Sequence, residues 1–394
     1  MLEIKKECTG CMACVNGCPA EAIRIEENKY GFVMPVIDEG KCINCGKCDK
    51  LCPIEEKPDE KTYPLEAWSM FSNSEDIVRM SSSGGVYFTL ADHVIKQGGI
   101  AYGCYYDIDK RKAELMDTDT VPLKSLLTSK YVESYIGEDG LKKIEKEIKT
   151  GRRVLFCGTP CQAAGLKAYL GKDYDNLLVV DFACGGVVAQ PYLRDYLNSL
   201  EERYESPITK ISFRDKHYGW GQYCFYAEFE NGKVYRKTAL ADPYYFCFLR
   251  SSMQRLACHG CHFSDDHKSD LCISDFWKCN YFDVEKNDRK GLSLALVYTG
   301  KGKQMLEEIS SKLHMEKLPI KEASYNLEPR ICLEENLEEY YHDMNMAYHE
   351  GVEVLRNYIL SEDEKVFFEK RQLIMDNKER SNAYNDIVGK GQIM

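Results

Sequence analysis

Eight of the chain's 19 cysteines fall in two copies of one pattern. The first copy is Cys8-Thr-Gly-Cys11-Met-Ala-Cys14-Val-Asn-Gly-Cys18-Pro19, and the second is Cys42-Ile-Asn-Cys45-Gly-Lys-Cys48-Asp-Lys-Leu-Cys52-Pro53. The spacing C-x2-C-x2-C-x3-C-P is the one that holds 4Fe–4S clusters in bacterial-type ferredoxins. Three thiolates on a tight loop wrap three corners of a cubane. The fourth cysteine, turned away by the following proline, closes the other cluster. The pattern therefore assigns Cys8, Cys11, Cys14 and Cys52 to one cluster, and Cys42, Cys45, Cys48 and Cys18 to the other. Structural zinc sites offer separated C-x2-C pairs rather than a run of four ending in proline. Two such clusters imply chemistry in single electrons.

A second set of chemistry-bearing loops lies downstream. Ser81-Ser82-Ser83-Gly84-Gly85 precedes a helical stretch; small residues and free N–H groups at a helix start suit a phosphate, and equally an ordinary serine cap. Phe156-Cys157-Gly158-Thr159-Pro160-Cys161-Gln162 stands between a strand and a helix, where loops of a parallel sheet face the ligand crevice. Phe182-Ala183-Cys184-Gly185-Gly186 follows another strand. Cys258-His-Gly-Cys261 is a bare C-x2-C, open to zinc, to redox dithiol chemistry or to half of a cluster site. Asp270-Leu-Cys272-Ile-Ser274-Asp275-Phe276-Trp277 completes the set.

The elements that must position these loops follow from periodicity. Ala22–Ile25 and Tyr30–Val33 are short β-type runs between the two cysteine motifs. Residues 55–64, charged and with two prolines, read as a linker between two independent cores. Gly84–Lys96 has a helical period at Val86, Leu90, Val94 and Ile95. Ile100–Tyr105, Arg153–Cys157 and Leu177–Phe182 read as strands, alternating with helices at 141–149 and 161–170. This texture predicts an α/β core with a mainly parallel sheet. Ile208–Arg214, Tyr223–Phe229 and Val234–Thr238 read as further strands, the last two joined at Asn231-Gly232. The last sixty or so residues read as a peripheral helical extension.

The chain has 394 residues, 44% of them hydrophobic, and a formal net charge of −11. That length suggests two or three domains, and the acidic balance argues against a nucleic-acid partner. Mean hydropathy is −0.44, and no stretch nears the ~20 apolar residues of a membrane span. Met1-Leu-Glu-Ile-Lys-Lys-Glu7 lacks an apolar signal core, and metal-type cysteine spacing suits a reducing compartment, so a cytoplasmic location is expected.

Ser82-Ser83-Gly84-Gly85, Ser129-Lys130-Tyr131-Val132, Gly158-Thr159-Pro160-Cys161-Gln162, Phe213-Arg214-Asp215-Lys216 with Gly219-Trp220, the Cys258/Cys261 pair and Ser274-Asp275-Phe276-Trp277 occur in a fixed order. Together they resemble the coenzyme F420 hydrogenase/dehydrogenase beta-subunit family over residues 65 to about 300, with a ferredoxin module in front. The resemblance implies an α+β ferredoxin-like dicluster module (1–54), the linker, an α/β flavin-binding domain (65–330) and a helical C-terminal extension (331–394). It implies FAD, contacted by Ser82, Ser83, Gly84, Gly85, Ser129, Lys130, Tyr131, Gly158, Thr159, Pro160 and Gln162, with Lys130 stabilising the reduced flavin anion. It also implies a third 4Fe–4S cluster on Cys161, Cys184, Cys258 and Cys261, leaving Cys157, Cys272 and Cys279 as extras. The expected partners are a ferredoxin or similar redox protein as donor and a small organic acceptor, coenzyme F420 or a pathway intermediate. The alternative is an electron-transfer beta subunit whose substrate chemistry lies on another chain. Two positions depart from the family: Cys184-Gly185-Gly186 replaces Cys-His-Gly, and Ser274-Asp275-Phe276-Trp277-Lys278 replaces Gly-Asp-Phe-Trp-Gly.

Overall fold

The computed structural model describes residues 8–54, 61–285, 290–324 and 337–362, with residues 364, 365, 372 and 376. The N-terminal module has one antiparallel hairpin, strand β1 (Ile23–Glu27) on β2 (Val33–Ile37), in register from Ile23↔Ile37 to Glu27↔Val33. A one-turn helix, Ala13–Gly17, runs through the first cysteine motif.

Strands β3 (Glu66–Ser72), β4 (Ile100–Asp107), β5 (Lys112–Asp117), β6 (Val154–Cys157) and β7 (Leu177–Phe182) come next in the chain. They are followed by β8 (Ile208–Asp215), β9 (Cys224–Phe229), β10 (Val234–Thr238), β11 (Leu271–Asp275), β12 (Ser293–Val297) and β13 (Leu313–Leu318). Eight of these form one mixed sheet in the order β13-β3-β12-β11-β7-β6-β4-β5. Its centre, β11-β7-β6-β4, is parallel, and the pairings on either side are antiparallel. The parallel strands are short apolar runs because both faces are covered. Leu155, Val180 and Leu271 pack toward the Val86–Lys96 helix on one face. Val154, Phe156, Leu177 and Val179 pack toward the Pro160–Leu170 and Gly140–Lys149 helices on the other.

The expected separation into two cores is not what the chain does. Cys11, Met12, Ala13, Val15 and Ile23 of the ferredoxin module share one buried cluster with Ile100, Leu141, Ile144, Val154, Phe156 and Leu166. Asn16 Nδ2 donates to the Gly137 carbonyl at 3.2 Å, and its Oδ1 accepts from the Leu141 N–H at 3.0 Å. A charged, proline-bearing connection marks a break along the chain but carries no information about where the segments it joins come to rest. Residues 55–60 of that connection lie outside the described residues.

The β10-β9-β8 sheet is separate and antiparallel. Its core includes Phe213, Phe225 and Phe229, together with Tyr192, Leu193 and Tyr196 of the Gln190–Tyr204 helix. The described part of the C-terminal extension forms two helices, Leu337–His349 and Val352–Ile359. They are not peripheral: Tyr340, Met344, Ala347, Val352 and Leu355 are buried in that same core beside Phe246 and Cys247. The remainder of residues 331–394 falls largely outside the described residues.

Candidate redox sites

The two cysteine motifs fold alike. The second residue after the leading cysteine has positive φ in both copies, Gly10 at 73° and Asn44 at 55°; so does the fourth, Met12 at 61° and Gly46 at 66°. These left-handed positions curl each loop so that three thiols face one centre. Cys14 lies within electrostatic reach of Cys8 and Cys52 and, more weakly, of Cys48; Cys8 in turn feels Cys52. The thiol of the first motif's last cysteine, Cys18, accepts a 3.4 Å hydrogen bond from the Ala22 N–H. Burial separates the copies: Cys11 is buried, and Cys45 is exposed. Burial pushes the Cys14 thiol up to about 12.

Cys161, Cys184, Cys258 and Cys261 line one small cavity, with Thr9, Gly10, Thr159 and Phe263. Four elements bring them there. Cys161 opens the Pro160–Leu170 helix, whose Thr159 and Gln162 close a capping box. Cys184 follows β7, and its Sγ accepts from the Gly186 N–H at 3.4 Å. Cys258 and Cys261 ride a short turn anchored by the Arg255 carbonyl, which accepts from the Cys258 N–H at 2.8 Å. The Cys184 thiol is raised by burial, with Cys258, Cys161 and Cys261 pushing the same way. Four soft thiols in one enclosure are the donor set of an iron–sulfur cluster.

A larger cleft opens at the carboxyl end of the parallel strands, with ≈ 1300 Å³ of empty space including its mouth. Ser82, Ser83, Gly85, Ser129, Lys130, Tyr131, Gly158, Thr159 and Gln162 line it. Ser82 Oγ accepts from the Ser129 N–H at 2.8 Å, which joins two of the sequence motifs into one wall. Ser81 also lines the cleft, and its buried Oγ has no hydrogen-bond partner. That leaves a polar atom for a ligand.

Two expected contacts do not line the cleft. Pro160 faces the four-cysteine cavity instead. Gly84 donates its N–H to Ser293 Oγ at 2.9 Å, and a Cβ there would stand 2.5 Å from the Met70 carbonyl oxygen. Its glycine is demanded by strand β3, not by a ligand.

Lys130 donates to the Leu127 carbonyl at 2.6 Å and the Ser125 carbonyl at 3.2 Å, and burial lowers its ammonium to about 8. Cys157, one of the extras, lines the cleft together with Cys104. Cys279 is buried. Cys272 is buried beside Asp181, whose Oδ1 lies 2.8 Å from His267 Nδ1; that contact holds the loop after Cys261 to β7.

Sequence reasoning left three features without a role. Arg214 grips Asp275 with both guanidinium nitrogens at 2.6 and 3.1 Å, and donates to the Tyr131 hydroxyl and the Ser82 carbonyl. Lys216 donates to the carbonyls of Val78, Ser83 and Lys290, closing the serine–glycine loop from behind. Arg255 and Glu133 form a buried pair between the module and the main domain. The first two sit in the Phe213–Lys216 and Ser274–Trp277 motifs, so the motif itself was the signal. Glu133 directly follows Ser129–Val132.

Residues 151–323 match the C terminus of the coenzyme F420 hydrogenase/dehydrogenase beta subunit, and residues 7–55 match the 4Fe-4S dicluster domain. A ferredoxin of Mycolicibacterium smegmatis is 31% identical over 75 residues, spanning 18% of this chain and 65% of that protein. An uncharacterized ferredoxin-like protein of Haemophilus influenzae is 36% identical over 80 residues, spanning 18% of this chain and 87% of that one. A chain of the F420-reducing [NiFe] hydrogenase complex from Methanosarcina barkeri aligns at 14% identity with a TM-score of 0.44, covering 76% of this chain and 92% of that one. The N-terminal module thus carries two 4Fe–4S clusters, and the chain is an iron–sulfur redox protein. Among the described residues no helix is long and apolar enough to cross a membrane.

Proposed function

Because the chain belongs to the coenzyme F420 hydrogenase/dehydrogenase beta-subunit family, with a dicluster ferredoxin module in front, we propose that it is an iron–sulfur flavoprotein oxidoreductase. Its substrates on this reading are a single-electron donor of ferredoxin type and an organic hydride acceptor. Beyond the two clusters of the module it binds a third on Cys161, Cys184, Cys258 and Cys261, and FAD in the cleft.

The observation that carries the reading is a shared wall. Cys184, Thr159, Gln162 and Ser134 line both the four-cysteine cavity and the cleft. A cluster donor set therefore adjoins a cleft large enough for a dinucleotide. Bound in these sites, 4Fe–4S clusters supply one-electron transfer and FAD supplies the exchange between single electrons and hydride.

The chain's own residues hold and bias. Ser81, Ser82 and Ser129 present hydroxyls at the phosphate-suited helix start. Lys130 supplies positive charge on the cleft wall, suited to an anionic ligand. Arg214 and Lys216 fix the serine–glycine loop from outside the cleft. The buried thiols of Cys161 and Cys184 leave water little access to what they hold. Gln162 is committed to its cap: its Oε1 accepts from the Thr159 N–H at 3.0 Å, and its amide donates to Ser134. It shapes the wall rather than reaching for a ligand.

The test is content. Protein purified without oxygen should hold about twelve iron atoms, from three cubanes, and one non-covalent FAD. Cys258→Ser should bring iron to about eight. A wild-type protein with about eight, unchanged by that substitution, sinks the third cluster. FAD with full iron but no reduction of any small acceptor would move the chain to the subunit reading, with substrate chemistry on another polypeptide.

A further inference from the structure

Arg255 is 3% exposed and Glu133 5%, and the two form an ion pair. The guanidinium reaches into the ferredoxin module. Its Nη1 donates to the Cys8 carbonyl at 2.9 Å, its Nη2 donates to the Val33 carbonyl at 2.7 Å, and its plane lies over Phe32. Glu133 completes the hold by accepting from the Val33 N–H at 3.1 Å. The backbone of the same arginine anchors the turn that bears Cys258. One residue thus ties the loop of Cys8 to the loop of Cys258.

We propose that Arg255, held by Glu133, is a positioning residue for electron transfer between the Cys8/Cys11/Cys14/Cys52 site and the Cys161/Cys184/Cys258/Cys261 site, and that its fixed charge raises the reduction potential at both. The proposal rests on the reading of the second set as a cluster site. Reduction adds one electron, and so one negative charge, to a cluster; a buried cation favours that form, more strongly where water is excluded. An electron passing between the sites oxidises one cluster and reduces the other by one unit, with no proton moving.

The guanidinium sits where both sites feel it. Arg255 is the leading influence drawing the buried Cys8 thiol back down, whereas Glu133 is the smallest of the influences acting on it. Arg255 also acts on Cys161 and interacts with Cys258. Its Nε is buried without a hydrogen-bond partner. None of its recorded partners, Cys8, Val33, Met34 and Glu133, lies in the Cys42–Cys48 loop.

The experiment is a redox titration of the full, anaerobically purified chain, followed by electron paramagnetic resonance. Three variants are compared: E133Q, R255K, and the double variant R255Q/E133Q, which avoids stranding a buried carboxylate. E133Q should raise both potentials, because the opposing charge is gone. R255K should stay near the wild type. The double variant should lower both. The potential of the Cys42 cluster should hold in all three. The proposal is overturned if the double variant keeps three clusters with unshifted potentials, or if R255K falls as far as the double variant, since packing rather than charge would then be responsible. A wild-type protein with only two clusters removes the underlying reading, and the iron count shows this before any variant is made.

Discussion

Gly165 of the Pro160–Leu170 helix lies directly against Cys11 of the first cysteine motif: a Cβ on Gly165 would stand 2.7 Å from Cys11 Cβ and 2.9 Å from its Sγ. In an isolated helix, Gly→Ala gains about 1 kcal/mol. Here the methyl group meets the main part of a buried residue that cannot swing aside, and overpacking of this kind costs about 1–3 kcal/mol. Gly165→Ala should therefore lower the unfolding midpoint and reduce occupancy of the Cys8 cluster while leaving the Cys42 cluster in place. Denaturant unfolding together with iron content checks it. A stabilised variant with full iron would show that the two surfaces are not pressed together.

Deletion of residues 1–60 tests the shared core. The cut removes Met12, Ala13, Val15 and Ile23 from a cluster that also holds Ile100, Leu141 and Phe156, and it strips Arg255 and Glu133 of their module contacts. Burying a large apolar side chain stabilises by about 1.5–3 kcal/mol, so losing several such contacts exceeds what a typical domain holds in reserve. The truncated chain should aggregate or lose its near-ultraviolet dichroism. Recovery of a monomeric flavoprotein with intact tertiary signal would mean that the module is docked but dispensable.

Lys130 gives a pH dependence with a definite sign. Burial lowers its folded-state pKa to about 8 from an ordinary 10.5. Between those values the unfolded chain carries the proton and the folded chain does not, so this group's contribution to stability rises with pH through that window. At neutral pH the buried charge costs on the order of 3 kcal/mol at most, one pKa unit being about 1.4 kcal/mol. Lys130→Met should therefore look best, relative to wild type, below about pH 8, and lose that advantage as pH climbs toward 10.5. Urea unfolding of the FAD-free proteins at several pH values measures it. A difference between the two proteins that is flat across the window would show that the carbonyls of Ser125 and Leu127 offset the burial.

Legibility in the sequence followed burial. The runs Val-Leu-Phe at 154–156 and Leu-Leu-Val-Val at 177–180 are continuous because both faces of β6 and β7 are covered, and they read as central strands. Strands β3, β5, β12 and β13 carry mixed patterns and pair antiparallel, so the edges of the sheet did not announce themselves. The doubled cysteine pattern was fully visible, since metal geometry imposes local spacing. Gly84 shows the opposite case. A glycine beside serines at a helix start suits a phosphate, but its requirement comes from the Met70 carbonyl, far away in the chain. The docking of the module was invisible for the same reason. It hangs on Arg255 and Glu133, two charged residues that composition would place in solvent.

The last prediction concerns which cysteine serves which cluster. Sequence spacing alone would let each motif hold its own four ligands. The structure instead sets Cys14 beside Cys8 and Cys52, and Cys8 beside Cys52, across the two motifs. Cys18 lies beyond the one-turn helix, with its thiol turned to the Ala22 N–H. Cys18→Ser should then damage the cluster of Cys42, Cys45 and Cys48, and Cys52→Ser should damage that of Cys8, Cys11 and Cys14. The two clusters differ in exposure, Cys45 being exposed and Cys11 buried, so they should bleach at different rates on contact with oxygen. Absorbance at ~400 nm, where such clusters absorb, should lose its fast phase in Cys18→Ser and its slow phase in Cys52→Ser. The reverse pairing of variants and phases would return each motif to its own cluster.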